Sequence, residues 1–95
     1  MMFTKRLHEP IMRGEVTCSV RIWQRPRAKV GGRYALGPGF VEVTSIRQID
    51  LADVTPQLAR RSGFAGVVDL LKVAKHGPGE NVYLLEFEYH EGAPT

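Results

Sequence analysis

Seven residues between positions 17 and 29 have the chemistry needed to hold a nucleic acid. They are Thr17, Ser19, Arg21, Trp23, Arg25, Arg27 and Lys29. Hydroxyls and cationic groups donate hydrogen bonds to phosphates, and an indole ring stacks on a base. Arginine suits this task because its planar guanidinium contacts phosphate in a bidentate manner. The segment is therefore a candidate nucleic-acid interface. The alternatives are an ordinary solvated basic edge and, for Arg21, an ion pair with Glu42 or Glu86.

The basic residues are concentrated in the first third of the chain. Residues 1–33 contain eight basic and two acidic residues, a net charge of +6, whereas residues 34–95 contain five basic and eight acidic residues, a net charge of −3. Nine of the thirteen basic residues are arginine. Such asymmetry is typical of proteins that bind anionic polymers, and it also occurs on solvated faces of small proteins. The charge pattern favours RNA or a nucleotide as the partner.

Length and composition indicate one ordinary folded domain. The 95 residues, 43% hydrophobic and 24% charged, suffice for one modest core. The single cysteine, Cys18, excludes an intrachain disulfide, and the three histidines lack ligand spacing, so neither a metal nor a cofactor is expected. The chain has no apolar run of membrane-spanning length and no signal-peptide core. We expect a cytoplasmic protein without a membrane partner, and the sequence leaves its oligomeric state open.

The candidate interface must be positioned by a mixture of short helices and strands. Apolar spacing at Phe3, Leu7 and Ile11 predicts an N-terminal helix that ends at Gly14. Alternating patterns predict four strands, over residues 17–23, 33–36, 40–51 and 80–90. In the third strand the alternation slips near position 46, which indicates an irregularity such as a bulge. Two helices are predicted between the third and fourth strands, and the first begins at positions 55–56. This order predicts an α+β fold: a small, partly open β-barrel with helices packed at one side.

Two strands carry a prediction of which face is buried. Cys18, Val20 and Ile22 alternate with the polar positions of the first strand and are expected in the core. In the last strand, the expected core face is formed by Tyr83, Leu85, Phe87 and Tyr89. The whole chain, residues 1–95, is interpreted as a single domain with a frayed tail over residues 91–95.

Three segments of the chain resemble the ASCH domain, a relative of the PUA fold. Residues 11–21, IMRGEVTCSVR, are similar to two family patterns that share a glycine: I-x-x-G and G-x-K-x-x-T-x-R. IDLADVTPQLARRSGF (residues 49–64) and YLLEFEY (residues 83–89) resemble the family's later helix and final strand. The resemblance covers nearly the whole chain, and the order and spacing of the segments are fairly specific. It implies a PUA-like domain with a cleft beside the motif strand and an RNA-linked role.

The resemblance also implies an alternative, enzymatic function. Some small family members are hydrolases of acetylated cytosine nucleosides that use a motif lysine, a motif threonine and a glutamate from the later helix; another is a ribonuclease. In this chain Val16 and Ser19 occupy the first two positions, and Ser62 lies nearest to the third. Valine cannot act as an acid, a base or a cation, so we expect no hydrolysis of N4-acetylcytidine. The enzymatic alternative would use an altered set: Ser19, Arg21 and Ser62. A lysine from elsewhere in the chain remains open as a replacement for the motif lysine. The candidates are Lys5 and Lys29.

Overall fold

A computed structural model of the protein describes residues 3–75 and 78–92 and shows an α+β fold. The helices are α1 (His8–Met12), α2 (Pro56–Arg61) and α3 (Val67–Ala74). The strands are β1 (Cys18–Trp23), β2 (Arg33–Leu36), β3 (Gly39–Ile49) and β4 (Asn81–Glu91). Short 3-10 turns at Lys5–Leu7 and Leu51–Asp53 precede α1 and α2. The predicted order α-β-β-β-α-α-β is confirmed for the described residues.

The four strands form one antiparallel sheet that curls into a half-barrel. Their spatial order is β1-β4-β3-β2, so β1 and β2 are the edge strands. In β1, Cys18 lies opposite Glu86 and Trp23 lies opposite Asn81. The register of β3 against β4 shifts between Val43 and Ser45, which confirms the predicted slip and places it slightly earlier. Such an irregularity bends a strand and favours the curled shape of the sheet.

The helix boundaries follow from capping chemistry that is readable in the sequence. The Thr55 hydroxyl accepts a hydrogen bond from the Leu58 amide at 3.2 Å, and Pro56 occupies the first helical position of α2. Gly63, the second residue after this helix, adopts a φ of 92°, a conformation that favours glycine. These features define where α2 begins and where it ends, and the end of α2 borders the candidate site.

The predicted core face of β4 is confirmed in part: Phe87 lies in the main core and the half-buried Tyr89 packs against it. Val82 and Leu84, on the opposite face from the one expected, belong to the main core between the sheet and the helices. Tyr83 and Leu85 belong instead to a second cluster with Trp23. As a central strand, β4 is covered on both faces here, so residues 82–85 are all buried and alternation carries no information about which face meets the helices.

The prediction for β1 is confirmed at two of three positions. Cys18 and Val20 are buried in the main core, but Ile22 is only half-buried and packs against that core. On the opposite, polar face of β1, Arg21 and Trp23 are buried. The reason is tertiary: other segments of the chain cover this face of β1.

Two further features concern the chain as a whole. β4 continues through Glu91, one residue into the segment expected to fray, and residues 93–95 lie outside the described residues. The glycine–proline pair at positions 77–78 predicts the end of α3, and Gly77 also lies outside the described residues. Among the described residues, none of the helices has the length and apolar character that a membrane crossing needs.

Candidate nucleic-acid site

A cavity of about 510 Å³ lies between β1, the N-terminal segment and the end of α3. Binding sites for small molecules commonly measure about 300–1,000 Å³. The aromatic rings in its walls are those of Phe3, Trp23 and Phe64. Its polar groups come from Thr4, Ser19, Arg21 and Arg27. None of the described residues that line this β1 cavity is acidic. The β1 cavity therefore combines stacking surfaces with cations and hydroxyls, as a nucleotide requires.

Arg21 is a buried polar group of the β1 cavity that contacts both Ser19 and Phe3. Its side chain lies on β1, is only 6% exposed, and donates a hydrogen bond from Nε to the Ser19 hydroxyl at 2.8 Å. The guanidinium carbon lies 5.1 Å from the centre of the Phe3 ring, within the range of a cation–π contact. Burial lowers the pKa of Arg21 to about 10, so the group keeps its charge at neutral pH. The β1 cavity thus contains a fixed positive charge.

The N-terminal segment forms one wall of the β1 cavity. The Phe3 ring packs edge-on against Phe87 with 5.3 Å between ring centres. His8 Nε2 donates a hydrogen bond to the Phe3 carbonyl at 3.1 Å, which ties the segment to the start of α1. These contacts place Phe3 over Arg21, although nearly twenty residues separate them in the chain.

The turn after α2 forms a second wall of the β1 cavity, beside the N-terminal segment. The Phe64 amide donates to the Ala59 carbonyl at 2.9 Å, and this hydrogen bond holds the Phe64 ring beside the end of the helix. The Arg6 guanidinium carbon lies 4.9 Å from the centre of the Phe64 ring. Sequence reasoning missed Arg6, Phe3 and Phe64 as site residues, because no local pattern links them to β1.

The loop that follows β1, residues 24–32, is anchored at both ends and exposed between them. At its start, Asn81 Nδ2 donates to the Gln24 carbonyl at 2.8 Å, and Gly79 packs so closely on this backbone that a Cβ would clash. At its end, the Gly31 amide donates to the Val43 carbonyl at 2.7 Å. Midway, Ala28 packs against the cluster around Trp23. We call residues 24–32 the basic loop.

The structure brings four of the seven predicted residues to the β1 cavity. They are Ser19, Arg21, Trp23 and Arg27. Arg25 and Lys29 are exposed on the same basic loop but do not line the β1 cavity. Thr17 is exposed just before β1, where its carbonyl accepts a hydrogen bond from the Phe87 amide at 3.0 Å. Arg27 is thus the cation of the basic loop that lines the same cavity as Arg21.

The Trp23 side chain is more deeply buried than an aromatic ring that stacks on bases at an open surface. It is 3% exposed, and its ring centre lies 6.0 Å from that of Tyr83. The indole also lines the β1 cavity, so any base that it stacks on must enter that cavity. The proposed contact of Trp23 with a base stays a prediction.

The two carboxylates suggested as partners of Arg21 both contact other arginines. Glu42 accepts from Arg33 Nε at 3.1 Å, and Glu86 Oε1 lies 3.8 Å from Arg61. Both of these pairs are at least partly exposed to solvent. Their acidic charge is therefore shared with cations outside the β1 cavity.

The residues of the enzymatic alternative do not converge. Val16 is 5% exposed and packs in the main core. Ser62 is 1% exposed; its hydroxyl donates to the Leu58 carbonyl at 2.8 Å and lies 3.6 Å from Cys18 Sγ, on the core side of β1. Ser19, in contrast, contacts Arg21 in the β1 cavity. Lys5 and Lys29 are exposed and are not lining residues of the β1 cavity.

The described part of the chain contains no group of three His, Cys, Asp or Glu residues arranged to hold a metal ion, and His76 lies outside it. Comparison with known proteins gives no match to a protein-family model, to a curated protein or to a solved structure.

Proposed function

We propose that this domain binds single-stranded RNA at the β1 cavity, as an RNA-binding module of the PUA-like, ASCH type. One observation carries the proposal. The described residues of the β1 cavity include three aromatic rings and two arginines but no carboxylate, in a chain that has ten acidic residues. Exclusion of acidic groups from a cavity with a buried cation favours an anionic ligand. The ASCH resemblance of residues 11–21 supports RNA as that ligand.

The binding mode follows from the two kinds of cation. One unpaired base enters the β1 cavity and stacks on an aromatic wall, since base stacking tolerates any sequence. Arg21, held by Ser19, contacts one phosphate or base edge at short range. The exposed cations of the basic loop neutralise the neighbouring phosphates and release counterions. A free nucleotide occupies the same cavity more weakly, because it lacks those neighbouring phosphates.

The test is a salt series that measures RNA affinity by fluorescence anisotropy with short single-stranded and hairpin RNAs. The variant replaces Arg25, Arg27 and Lys29 together by alanine. Because each neutralised phosphate contributes to the salt dependence, the plot of log K against log salt should flatten by about two to three units. A mononucleotide competitor measures the contribution of the β1 cavity alone.

A matched control removes the same charge elsewhere. Arg13, Arg33 and Lys72 are exposed and are not lining residues of the β1 cavity, and the two arginines contact carboxylates. Their combined replacement by alanine should leave the slope within about one unit of wild type. Absence of RNA binding at low salt, or equal slopes for the loop variant and the wild type, would show that the basic loop is only a solvated surface.

A further inference from the structure

We infer that the bound RNA continues past the β1 cavity onto a second basic surface, formed by Lys5, Arg6 and Arg60. This inference rests on the proposed function and adds a second phosphate-binding surface to it. The second basic surface lies at the opposite end of β1 from the basic loop. The RNA strand would therefore follow β1 along its length, with cations at both ends and one base in the β1 cavity between them.

The position of the second basic surface follows from contacts at the first residue of β1. Ser62, directly after α2, contacts Cys18 there, whereas the basic loop begins after Trp23 at the other end. The strand is six residues long, and about 3.4 Å per residue separates its two ends by about 17 Å. An extended single strand spans that distance with several phosphates, so one RNA segment can contact both ends.

The three residues of the second basic surface lie on two segments of the chain that meet at the turn after α2. The Gly63 amide donates to the Arg60 carbonyl at 3.0 Å, so Arg60 borders the same turn as Phe64. Arg6 lies over the Phe64 ring, and that ring lines the β1 cavity. Lys5 is the neighbour of Arg6 in the 3-10 turn, whose flanking residue Thr4 also lines the β1 cavity.

The charge of the second basic surface is available for a ligand. Lys5, Arg6 and Arg60 are all exposed, and no carboxylate of the described residues lies within ion-pair distance of them. Two other exposed arginines differ: Arg13 lies 2.6 Å from a Glu15 oxygen, and Arg61 pairs with Glu86. Stacking on Phe64 also orients the Arg6 guanidinium, so less conformational entropy is lost when it contacts a phosphate.

The experiment measures how RNA affinity depends on the length of the RNA and on the charge of the second basic surface. Fluorescence anisotropy measures the affinity of labelled oligouridines of about two, four and eight nucleotides, a range that bridges the site sizes of small single-strand-binding domains. For wild-type protein, we expect affinity to rise with length as the second surface is reached. For the triple variant Lys5→Ala, Arg6→Ala, Arg60→Ala, the longest RNA should bind with a salt slope lower by about two units, and the shortest RNA should bind as it does to wild type.

Two further variants separate charge from folding. Arg60→Glu leaves the Arg6–Phe64 contact intact and should weaken binding of the longest RNA, while thermal unfolding followed by circular dichroism reports an unchanged fold. The Arg13, Arg33, Lys72 triple control has the same change of charge and should follow wild type at every length.

The outcomes distinguish the inference from the proposed function. If the Lys5, Arg6, Arg60 variant matches wild type at all lengths while the basic-loop variant still loses affinity, the inference is wrong and the proposed function stands. If wild-type protein binds none of the RNAs, both are wrong. If poly-L-glutamate displaces the longest RNA from the second basic surface as effectively as unlabelled RNA of equal charge does, that surface binds an acidic protein, and the inference is overturned.

Discussion

β1 and the basic loop are adjacent in sequence, yet their arginines differ in physical state. Arg21 is buried, donates to Ser19 and lies against the Phe3 ring. Arg25, four residues later, is exposed to solvent. The buried arginine has already lost its water and its conformational freedom during folding, whereas an exposed arginine loses them only when it binds a ligand. Neighbouring residues of one type are therefore expected to contribute to binding in different ways.

This difference shows that the number of cationic residues alone does not describe the candidate nucleic-acid interface. Exposed cations act at long range, are screened by salt and tolerate any anionic partner. A buried cation acts at short range and adds directional contacts that salt hardly weakens. The β1 region should therefore set the geometry of binding, and the basic loop should set its salt dependence.

The largest expected difference between the two regions concerns stability. Trp23→Ala removes a buried indole that packs on Tyr83 and should lower the free energy of unfolding by about 3–5 kcal/mol. Arg25→Ala changes an exposed loop residue and should change it by less than about 0.5 kcal/mol. Urea denaturation followed by circular dichroism measures both. Similar losses in the two variants would show that the basic loop is part of the folded core.

The next effect concerns RNA affinity. Arg21→Ala should weaken RNA binding by about 1–3 kcal/mol with little change in salt slope, because it removes one short-range contact. Arg21→Lys keeps the charge but not the planar fork and should recover only part of that loss. Anisotropy titrations at two salt concentrations check this. If the slope of Arg21→Ala falls as much as that of the basic-loop variant, both arginine types contribute through charge alone.

The smallest effect is a pH dependence of stability that comes from Arg21 alone. Burial lowers its pKa to about 10, below that of the solvated group in the unfolded chain, so above about pH 10 the folded state releases the proton before the unfolded state does. Stability then rises with pH in wild type relative to Arg21→Gln, by less than about 1 kcal/mol between about pH 8 and about pH 10.5. Below about pH 8 the difference between the two proteins should be constant. Denaturation curves at matched pH values test the sign, and a fall of wild type relative to Arg21→Gln would contradict it.

The local elements of this protein were predictable from the sequence because their signals are local. Thr55 and Pro56 define the start of α2, Gly14 ends the N-terminal helical segment, and alternation in residues 18–20 indicates a strand with an apolar face. Capping, turn conformations and strand alternation depend on residues only a few positions apart. The α+β class and the order of elements follow from them.

The burial of both sheet faces was decided by the tertiary structure. The predicted core face of β4 holds for Phe87 and Tyr89, but Tyr83 and Leu85 pack in a second cluster, while Val82 and Leu84 join the main core. Both sets are apolar, and no alternation distinguishes them in a strand that is covered on both sides. The same covering buries Trp23, which the sequence placed on a polar face.

The β1 cavity likewise depends on contacts between distant parts of the chain. The sequence indicated Ser19 and Arg21, which lie two residues apart on one strand face. Phe3, Phe64 and Arg6 join them only because the N-terminal segment and the turn after α2 pack at β1. The sequence by itself therefore determined the elements and the basic character of the first third of the chain. Only the tertiary structure decided which cations are buried and which aromatic rings surround them, because those contacts span up to some sixty residues and leave no periodic trace in the sequence.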